Sequence, residues 1–502
     1  MAAPMRLHRL LETAAIPVPA SVADREIRAV SGDSRRLPAG SLFVGAPGAQ
    51  VDGGDYWAAS LAGGAAVAVI GPRAAGKRPP GPTDPVVVVE DPAVCLGRLA
   101  SAFWGHPSRQ LQLIGVTGTN GKTTTTHWIE HLSTAMGTPT ALLGTLENRW
   151  PGTVMTASHT TEPADVVHGH LAQAVANGVQ RAAMEVSSHA LAQQRVAGLR
   201  FAGAVFTNLS QDHLDFHGDM ESYFQAKARL FGADMLHGQA VINCEDRYGQ
   251  RLHRQLGGKA WGCRLLLDSR PGDQPPLARD GELVMCDLAM GAGGVEGRLV
   301  SPMGEGRFHS PMLGRYNLMN LLQAVGVLLS CGAPLGPLLE HVPRFGGVPG
   351  RMESIGAPDL TVVVDYAHTP DGLNSALQAL RPFVAGRLIC VFGCGGDRDR
   401  GKRPFMGAAA AELADELVIT SDNPRTEDPE RILEEICAGL PAEIPHHREL
   451  DRSLAIHRAV VQAAPGDTVL IAGKGHERVQ IIGHEQRPFD DRRVAAAAIA
   501  QR

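Results

Sequence analysis

The sequence predicts an α/β fold in three parts. Three observations carry that reading. Short apolar runs alternate with stretches of helical spacing along most of the chain, the pattern of a mainly parallel sheet with helices on both faces. One apolar run leads into a glycine-bearing turn, Gly115-Val-Thr-Gly-Thr-Asn-Gly-Lys-Thr-Thr124, and then into a helix. The length of 502 residues suits about three domains.

Composition narrows the class. Hydrophobic residues make up 44% and aromatic residues 5%, so the cores must rest on Ala, Val, Leu and Ile. A net charge of −5 argues against nucleic acid as the main partner. No run approaches the roughly 20 apolar residues that cross a bilayer. The N-terminus lacks a basic region followed by an apolar stretch and a cleavage site, so a cytoplasmic protein with no membrane partner is expected. The eight cysteines form no CxxC pair and are expected to be reduced thiols. No internal repeat stands out.

Residues 1–108 form the expected N-terminal domain. Its strands are Ser41–Val44, Ala65–Ile70 and Val86–Val89, and Arg73–Pro85, rich in Pro, Gly and charge, is expected to be an exposed loop. Residues 109–345 form the expected central domain. Its strands are Leu111–Val116, Ala141–Gly144, Arg181–Val186, Ala202–Thr207 and Ala240–Asn243, with helices over Ala164–Asn177, Met220–Phe231 and Leu318–Ser330. The Gly-rich piece Trp261–Met312 reads as an antiparallel insertion. Phe345–Gly350 has linker composition. Residues 346–502 are expected to form a Rossmann-like α/β domain with strands Leu360–Asp365, Leu388–Phe392, Glu416–Thr420 and Thr468–Ala472.

Chemistry gathers at the strand ends, where open α/β sheets place their ligands. The 115–124 turn aims backbone N–H groups and a helix N-terminus at one point, an anion site. Lys122 adds a charge for terminal phosphates, and the Thr123 hydroxyl suits Mg²⁺. Val116 stands where the usual first glycine of such a loop would be. The turn nonetheless predicts nucleoside triphosphate binding. Glu185 closes its strand as a possible Mg²⁺ ligand or a plain surface acid. Thr207–Asp215 crowds Asp212, His213 and Asp215 at the next strand end, as a second metal ligand or a polar loop. Lys227 lies in an ordinary amphipathic helix, where physics alone predicts a solvated lysine. In the third part, Gly393–Lys402 is a glycine-rich charged turn carrying Arg398. Asp422-Asn-Pro-Arg425 offers a carboxylate for an amine and a guanidinium fork for a carboxylate, a pair that suits an amino acid. Gly473-Lys-Gly-His-Glu477 adds a further acid.

This set resembles the Mur ligases, the ATP-dependent amino-acid-adding enzymes of bacterial cell-wall precursor synthesis, over almost the whole chain. The motifs are Thr117–Thr123, Glu185–His189, Asn208–Asp215, Tyr316–Asn320, Pro349–Glu353, Asp365–Thr369, Asp422–Arg425 and Gly473–Glu477. Within the family the likeness is to the diaminopimelate-adding members. It implies an N-terminal uridine-nucleotide domain, a central ATPase domain and a C-terminal amino-acid domain. Asp33-Ser-Arg35 and Gly48–Gly53 match the uridine contacts, Ser34 first among them. Thr160, Thr161, Ser187, Gln193 and Arg195 match contacts to the muramoyl-dipeptide of UDP-N-acetylmuramoyl-L-alanyl-D-glutamate. His159 stands where some relatives have Asn. Gly118, Thr119, Asn120, Gly121, Lys122, Thr123 and Thr124, with Asn320 and Arg351, match ATP contacts. Lys227 matches a lysine that is carbamylated in the family and completes a Mg²⁺ site with Glu185, His213 and Thr123. Arg398, Asp422, Asn423, Pro424, Arg425, Gly473 and Glu477 match contacts to meso-2,6-diaminopimelate. The implied reaction phosphorylates the D-glutamyl γ-carboxylate and then couples the amine. A lysine-adding relative or a folylpolyglutamate synthase is the alternative within the superfamily, and a nucleotide switch without ligation chemistry the alternative outside it. A monomer is expected.

Overall fold

A computed structural model describes residues 3–48, 51–266, 281–291, 294–356 and 359–502. The chain forms two compact units that interleave along the sequence: Met1–Thr117 with Ser133–Val205 and Ala226–Ala240, and Gly118–Leu132 with Phe206–Gln225 and Val241–Arg502.

In the first unit, strands Ala29–Ser31, Ser41–Gly45, Val67–Ile70 and Val86–Val88 form a four-stranded sheet in that order, every neighbouring pair parallel. Alternate residues serve opposite faces. Leu42, Val44, Val67 and Val69 join the core under the helices Leu7–Thr13 and Pro92–Phe103. Phe43, Ala68 and Ile70 pack with Trp57 and Ala74 on the other face. The expected loop at Arg73–Pro85 is corrected in its first half: Pro72–Lys77 is a helix. Pro72 stands at its first position, where the missing N–H costs nothing and the fixed φ suits helix, and Ala74 is buried beneath it.

The same unit holds the start of the central sheet. Thr140–Leu143, Arg181–Glu185 and Gln112–Thr117 are parallel neighbours, followed by Phe201–Phe206 and then Leu236–Asn243. A hairpin absent from the sequence reading, Glu147–Trp150 and Thr153–Thr156, adds two antiparallel strands at the edge. Its turn, Pro151-Gly152, carries Gly152 at φ +80, a readable punctuation signal.

In the second unit, Ala260–Leu265, Glu282–Gly291, Gly294–Ser301 and Gly304–Ser310 are neighbours in that order. The expected antiparallel insertion is corrected at its first pairing, because Ala260–Leu265 and Glu282–Gly291 run parallel. The later pairs are antiparallel. Residues 267–280 and 292–293 of that stretch lie outside the described residues.

The C-terminal sheet is doubly wound. Thr361–Asp365, Thr468–Ala472, Leu388–Phe392, Glu416–Thr420 and His446–Glu449 are parallel in that spatial order, and Glu353–Ile355 pairs antiparallel at one edge. Cys390, Phe392, Leu417 and Ile419 pack under Pro370–Leu380, Arg403–Leu413 and Pro429–Cys437. Ile389, Val391, Val418 and Val469 pack under Arg452–Gln462 and Asp491–Ile499. Burial on both faces explains why these strands read as unbroken apolar runs. Among the described residues no helix is long and apolar enough to cross a membrane.

Candidate active site

The turn after Gln112–Thr117 runs into the helix Lys122–Ala135, opened by Lys122 as the sequence predicts. Two glycines shape it. A Cβ on Gly118 (φ +152) would lie 1.8 Å from the Thr207 hydroxyl, and one on Gly121 (φ +85) 2.4 Å from the Asn320 amide oxygen. Only glycine fits at either place. The loop is held by its neighbour: the N–H of Asn120 donates to Asn208 Oδ1 at 2.9 Å, and that of Thr119 to the Asn208 carbonyl at 2.9 Å. The Lys122 ammonium donates to the carbonyls of Gly118 and Thr119, each at 2.9 Å, which keeps its charge at the mouth of the turn. Thr123 is buried, and its hydroxyl accepts from Arg351 Nη2 at 3.2 Å. Buried Asn320 has an amide Nδ2 without a partner among the described residues, a donor that a ligand would satisfy. Loop N–H groups, ammonium, guanidinium and orphaned amide together suit a nucleoside triphosphate.

Asp365, Phe392, Thr420 and Ala472 end parallel strands at one edge of the C-terminal sheet. The loops that follow enclose a pocket of about 250 Å³ lined by Arg398, Asp422, Asn423, Arg425, Gly473 and Glu477. Pro424 is buried, with its carbonyl so close to Gly396 that a Cβ there would meet it at 1.9 Å. Arg425 takes φ +51, a left-handed conformation that costs a residue with a Cβ roughly 1–2 kcal/mol. Its surroundings enforce it. Nη1 donates to the Gly396 carbonyl at 2.7 Å, the N–H donates to the Ile481 carbonyl at 3.0 Å, and the carbonyl accepts from Gly483 at 2.7 Å. Asn423 Nδ2 donates to Glu477 Oε2 at 2.9 Å, and its Oδ1 accepts from Lys474 Nζ at 2.9 Å. Arg398 and Arg425 stand there with Asp422 and Glu477, charges that an amino acid can match, and Asp212, Asp215, Asp399 and Lys402 line the same pocket.

His213 lines the same pocket, left-handed at φ +55. Its Nε2 lies 3.3 Å from Asp212 Oδ2, while His368 Nε2 and Lys402 Nζ each stand 3.7 Å from that carboxylate. Burial opposes charge on Asp212, but the His368 hydrogen bond and the nearness of His213, His368 and Lys402 hold its carboxyl well below the usual range.

In the first unit, Glu185 is 1% exposed. Its Oε1 accepts from the Thr145 N–H at 2.9 Å, and its Oε2 lies 3.0 Å from the Thr145 hydroxyl, itself 3.1 Å from that of Thr160. Thr161 Oγ1 donates to the Glu185 carbonyl at 2.8 Å and accepts from the Ser187 N–H at 3.0 Å. Arg195 Nη1 donates to the Thr161 carbonyl at 2.9 Å and its Nε to Gln193 Oε1 at 3.0 Å. Thr160, Thr161, Ser187, Gln193 and Arg195 thus form one hydrogen-bonded group around Glu185. Ser187 also caps the helix Ser188–Ala192 through its hydroxyl. Ser34 sits apart, in the turn after Ala29–Ser31, where the neighbouring Gly32 N–H donates to Asp165 at 3.0 Å. Of the other expected uridine contacts, Ala49 and Gln50 lie outside the described residues.

Family models for the Mur ligases match three stretches. The Mur ligase family catalytic domain covers residues 26–104, the Mur ligase middle domain 116–328, and the Mur ligase glutamate ligase domain 350–475. The chain belongs to the Mur ligase family. A relative from Synechococcus sp. (strain WH7803) is 58% identical over 503 residues, covering 98% of each chain, and is named UDP-N-acetylmuramoyl-L-alanyl-D-glutamate--2,6-diaminopimelate ligase. One of the same name from Trichormus variabilis is 49% identical over 504 residues, with 99% of each chain covered. A solved structure of a ligase so named superposes with a TM-score of 0.68 at 33% identity, covering 100% of this chain and 99% of the other. Folylpolyglutamate synthase from Mycobacterium tuberculosis shares the fold, with a TM-score of 0.59 at 18% identity over 80% of this chain and 93% of the other.

Against this Mur ligase frame, one expectation is corrected. Lys227 is not solvated: it is 1% exposed, on the helix Met220–Ala228. Helical spacing places Tyr223, Phe224 and Leu230 inward with it, and a lysine among them escapes a hydropathy pattern because its own residue type reads as polar. Two participants went unseen in the sequence. Lys474, wholly buried, donates to Glu477 Oε2 at 2.8 Å. Tyr366 carries the Arg351 guanidinium 4.3 Å above its ring, within cation–π range. Both lie inside motifs already singled out, Gly473–Glu477 and Asp365–Thr369, but long-range packing gives them their partners.

Proposed function

We propose that this chain adds meso-2,6-diaminopimelate to UDP-N-acetylmuramoyl-L-alanyl-D-glutamate, with ATP hydrolysed to ADP and phosphate, as a step of peptidoglycan precursor synthesis. The observation that carries this reading is the C-terminal pocket, where Arg398 and Arg425 face the same small space as Asp422 and Glu477. Diaminopimelate has an amino-acid head at each end, and such a pocket meets one head with both charges. The full-length relatives named for this reaction support it.

The roles follow from charge. A carboxylate is a poor electrophile, so the D-glutamyl γ-carboxylate attacks the γ-phosphorus of ATP and ADP departs. The amine of diaminopimelate then attacks the acyl carbon, the C–N bond forms, and phosphate leaves. Two anions must approach in the first step. Lys122, the N–H groups of the 118–124 turn and Arg351 offset that repulsion. Asn320 would meet the nucleotide with its orphaned amide. Thr160, Thr161, Ser187, Gln193 and Arg195 would orient the peptide, and Ser34 the uridine. Asp422 and Glu477 would hold ammonium groups, and Arg398 and Arg425 carboxylates.

The family resemblance assigns Mg²⁺ to Thr123, Glu185, His213 and Lys227, the last as a carbamate. Hydroxyl, carboxylate and carbamate oxygens suit a hard cation, His213 would add a nitrogen, and burial of Lys227 suits a side chain that is not a free ammonium. Bound there, the cation would neutralise charge between phosphate and carboxylate. We assign domains at 1–108, 109–345 and 346–502. Substrates of this kind place the reaction in the cytoplasm.

The test is phosphate release with each substrate omitted in turn, then meso-diaminopimelate against L-lysine. Release that requires the UDP-muramoyl-dipeptide and favours diaminopimelate is expected. Release without the peptide substrate would favour a nucleotide switch, and a preference for lysine would move the chain to another branch of the family.

A further inference from the structure

A second cavity, of about 590 Å³, lies wholly within the first unit and contains none of the residues assigned above. Its walls come from the end of the first helix (Thr13 to Ala15), from Pro92–Phe103, and from the turns around His106, Ala197 and Asp234. Arg98, Arg109 and Arg200 line it with His106 and His237, against one carboxylate, Asp234. Among the described residues none of the three arginines has an ion-pair partner. Burial first, then the charges of Arg200 and Arg109, hold His237 below the ordinary imidazole range, although Asp234 opposes them. Arg98, Arg109, Arg200 and His237 are exposed, so the cavity presents these groups at its mouth.

The frame is built rather than incidental. A Cβ on Gly97 would lie 2.3 Å from the Ala197 carbonyl, and one on Gly198 2.7 Å from the Gly97 carbonyl. Ser101 Oγ donates to the Gly198 carbonyl at 3.2 Å, and the Arg200 N–H donates to Ser108 Oγ at 3.1 Å. Three non-glycine residues held left-handed, Ala15 (φ +54), His106 (φ +56) and Gln194 (φ +58), all line it. Strain of this kind gathers at ligand sites, as His213 and Arg425 do around the amino-acid pocket.

We propose that this cavity binds a small oligophosphate anion, a compound carrying a diphosphate or longer phosphate chain, through Arg98, Arg109 and Arg200. Guanidinium forks match phosphate oxygens in pairs. The volume falls within the ~300–1,000 Å³ of small-molecule sites, and a concave basic site in a chain of net charge −5 favours a small anion over nucleic acid.

The test is calorimetric titration of the full chain with inorganic tripolyphosphate, the phosphate loop being filled beforehand by a non-hydrolysable ATP analogue. Wild type is expected to bind tripolyphosphate and to bind orthophosphate more weakly. Arg98→Ala and Arg200→Ala should each weaken binding by about tenfold or more, the worth of a charged hydrogen bond. Asp234→Asn should tighten it, which a merely structural role for these residues would not produce. Competition by UDP or ADP then tells a nucleoside diphosphate from a bare phosphate chain. No binding by wild type, or equal binding in all three variants, overturns the proposal.

Discussion

Arg351 Nη2 donates to the Thr123 hydroxyl at 3.2 Å. The first residue after the Phe345–Gly350 stretch is thereby tied to the start of the helix Lys122–Ala135, while its guanidinium stacks on Tyr366, just past the strand Thr361–Asp365. One side chain thus touches both the helix that opens at Lys122 and a residue lining the C-terminal pocket.

Arg351→Lys should therefore fail as Arg351→Ala does. An ammonium keeps the charge but loses the planar fork and the stacking. Both variants should lower kcat/KM for ATP by about tenfold or more, the worth of one charged hydrogen bond. Steady-state kinetics at varied ATP measure it, and full activity in Arg351→Lys would reduce the role to charge alone.

Arg425 should separate stability from function. Arg425→Ala should lose most activity with meso-diaminopimelate, because a site built for a carboxylate rejects analogues lacking it by up to about 10⁴-fold. Arg425→Gly should be equally inactive yet better tolerated, since glycine takes φ +51 without the penalty of a Cβ. Thermal melting should rank Gly above Ala, and unchanged kinetics in Arg425→Ala would remove the assignment.

Lys227→Ala should be nearly inactive and partly rescued by small carboxylates such as acetate or formate, which replace a carbamate. The lysine's burial makes simple loss of a surface charge an inadequate account. Wild-type rates in the variant would dismiss the carbamate.

His168 should make the protein acid-labile. It is wholly buried, its Nε2 donates to the Ala197 carbonyl at 3.1 Å, and its Nδ1 has no partner among the described residues. Desolvation pulls its pKa from 6.5 down to about 4. Between those values the unfolded chain binds the proton and the folded chain does not, so stability falls as pH falls through that window. The slope from this residue is about 1.4 kcal/mol per pH unit. Urea melts across the window should show a shallower dependence in His168→Gln than in wild type. An identical slope would mean that His168 is protonated in the folded state.

Much of the fold was legible because it is written in local pattern. Leu388–Phe392, Glu416–Thr420 and Thr468–Ala472 emerged with the bounds read from the sequence, since strands buried on both faces leave unbroken apolar runs. The misreadings have two different causes. Pro72–Lys77 is a short helix hidden in loop-like composition, whereas the pairing of Ala260–Leu265 with Glu282–Gly291 follows a partner choice that no single strand encodes. The site was legible as motifs at strand ends, but not as contacts.

By itself the sequence determined the glycine-bearing turn between Gln112–Thr117 and Lys122–Ala135 and the apolar strands, because backbone propensity and hydrophobic spacing act over a few neighbours. Tertiary structure alone decided that Lys227 is buried, that Arg425 is left-handed, that Asn423, Lys474 and Glu477 form one bonded set, and that Arg200 lines the same cavity as Arg98 and Arg109. These properties depend on which distant segments pack together, and that choice minimises the free energy of the whole fold rather than of any one segment.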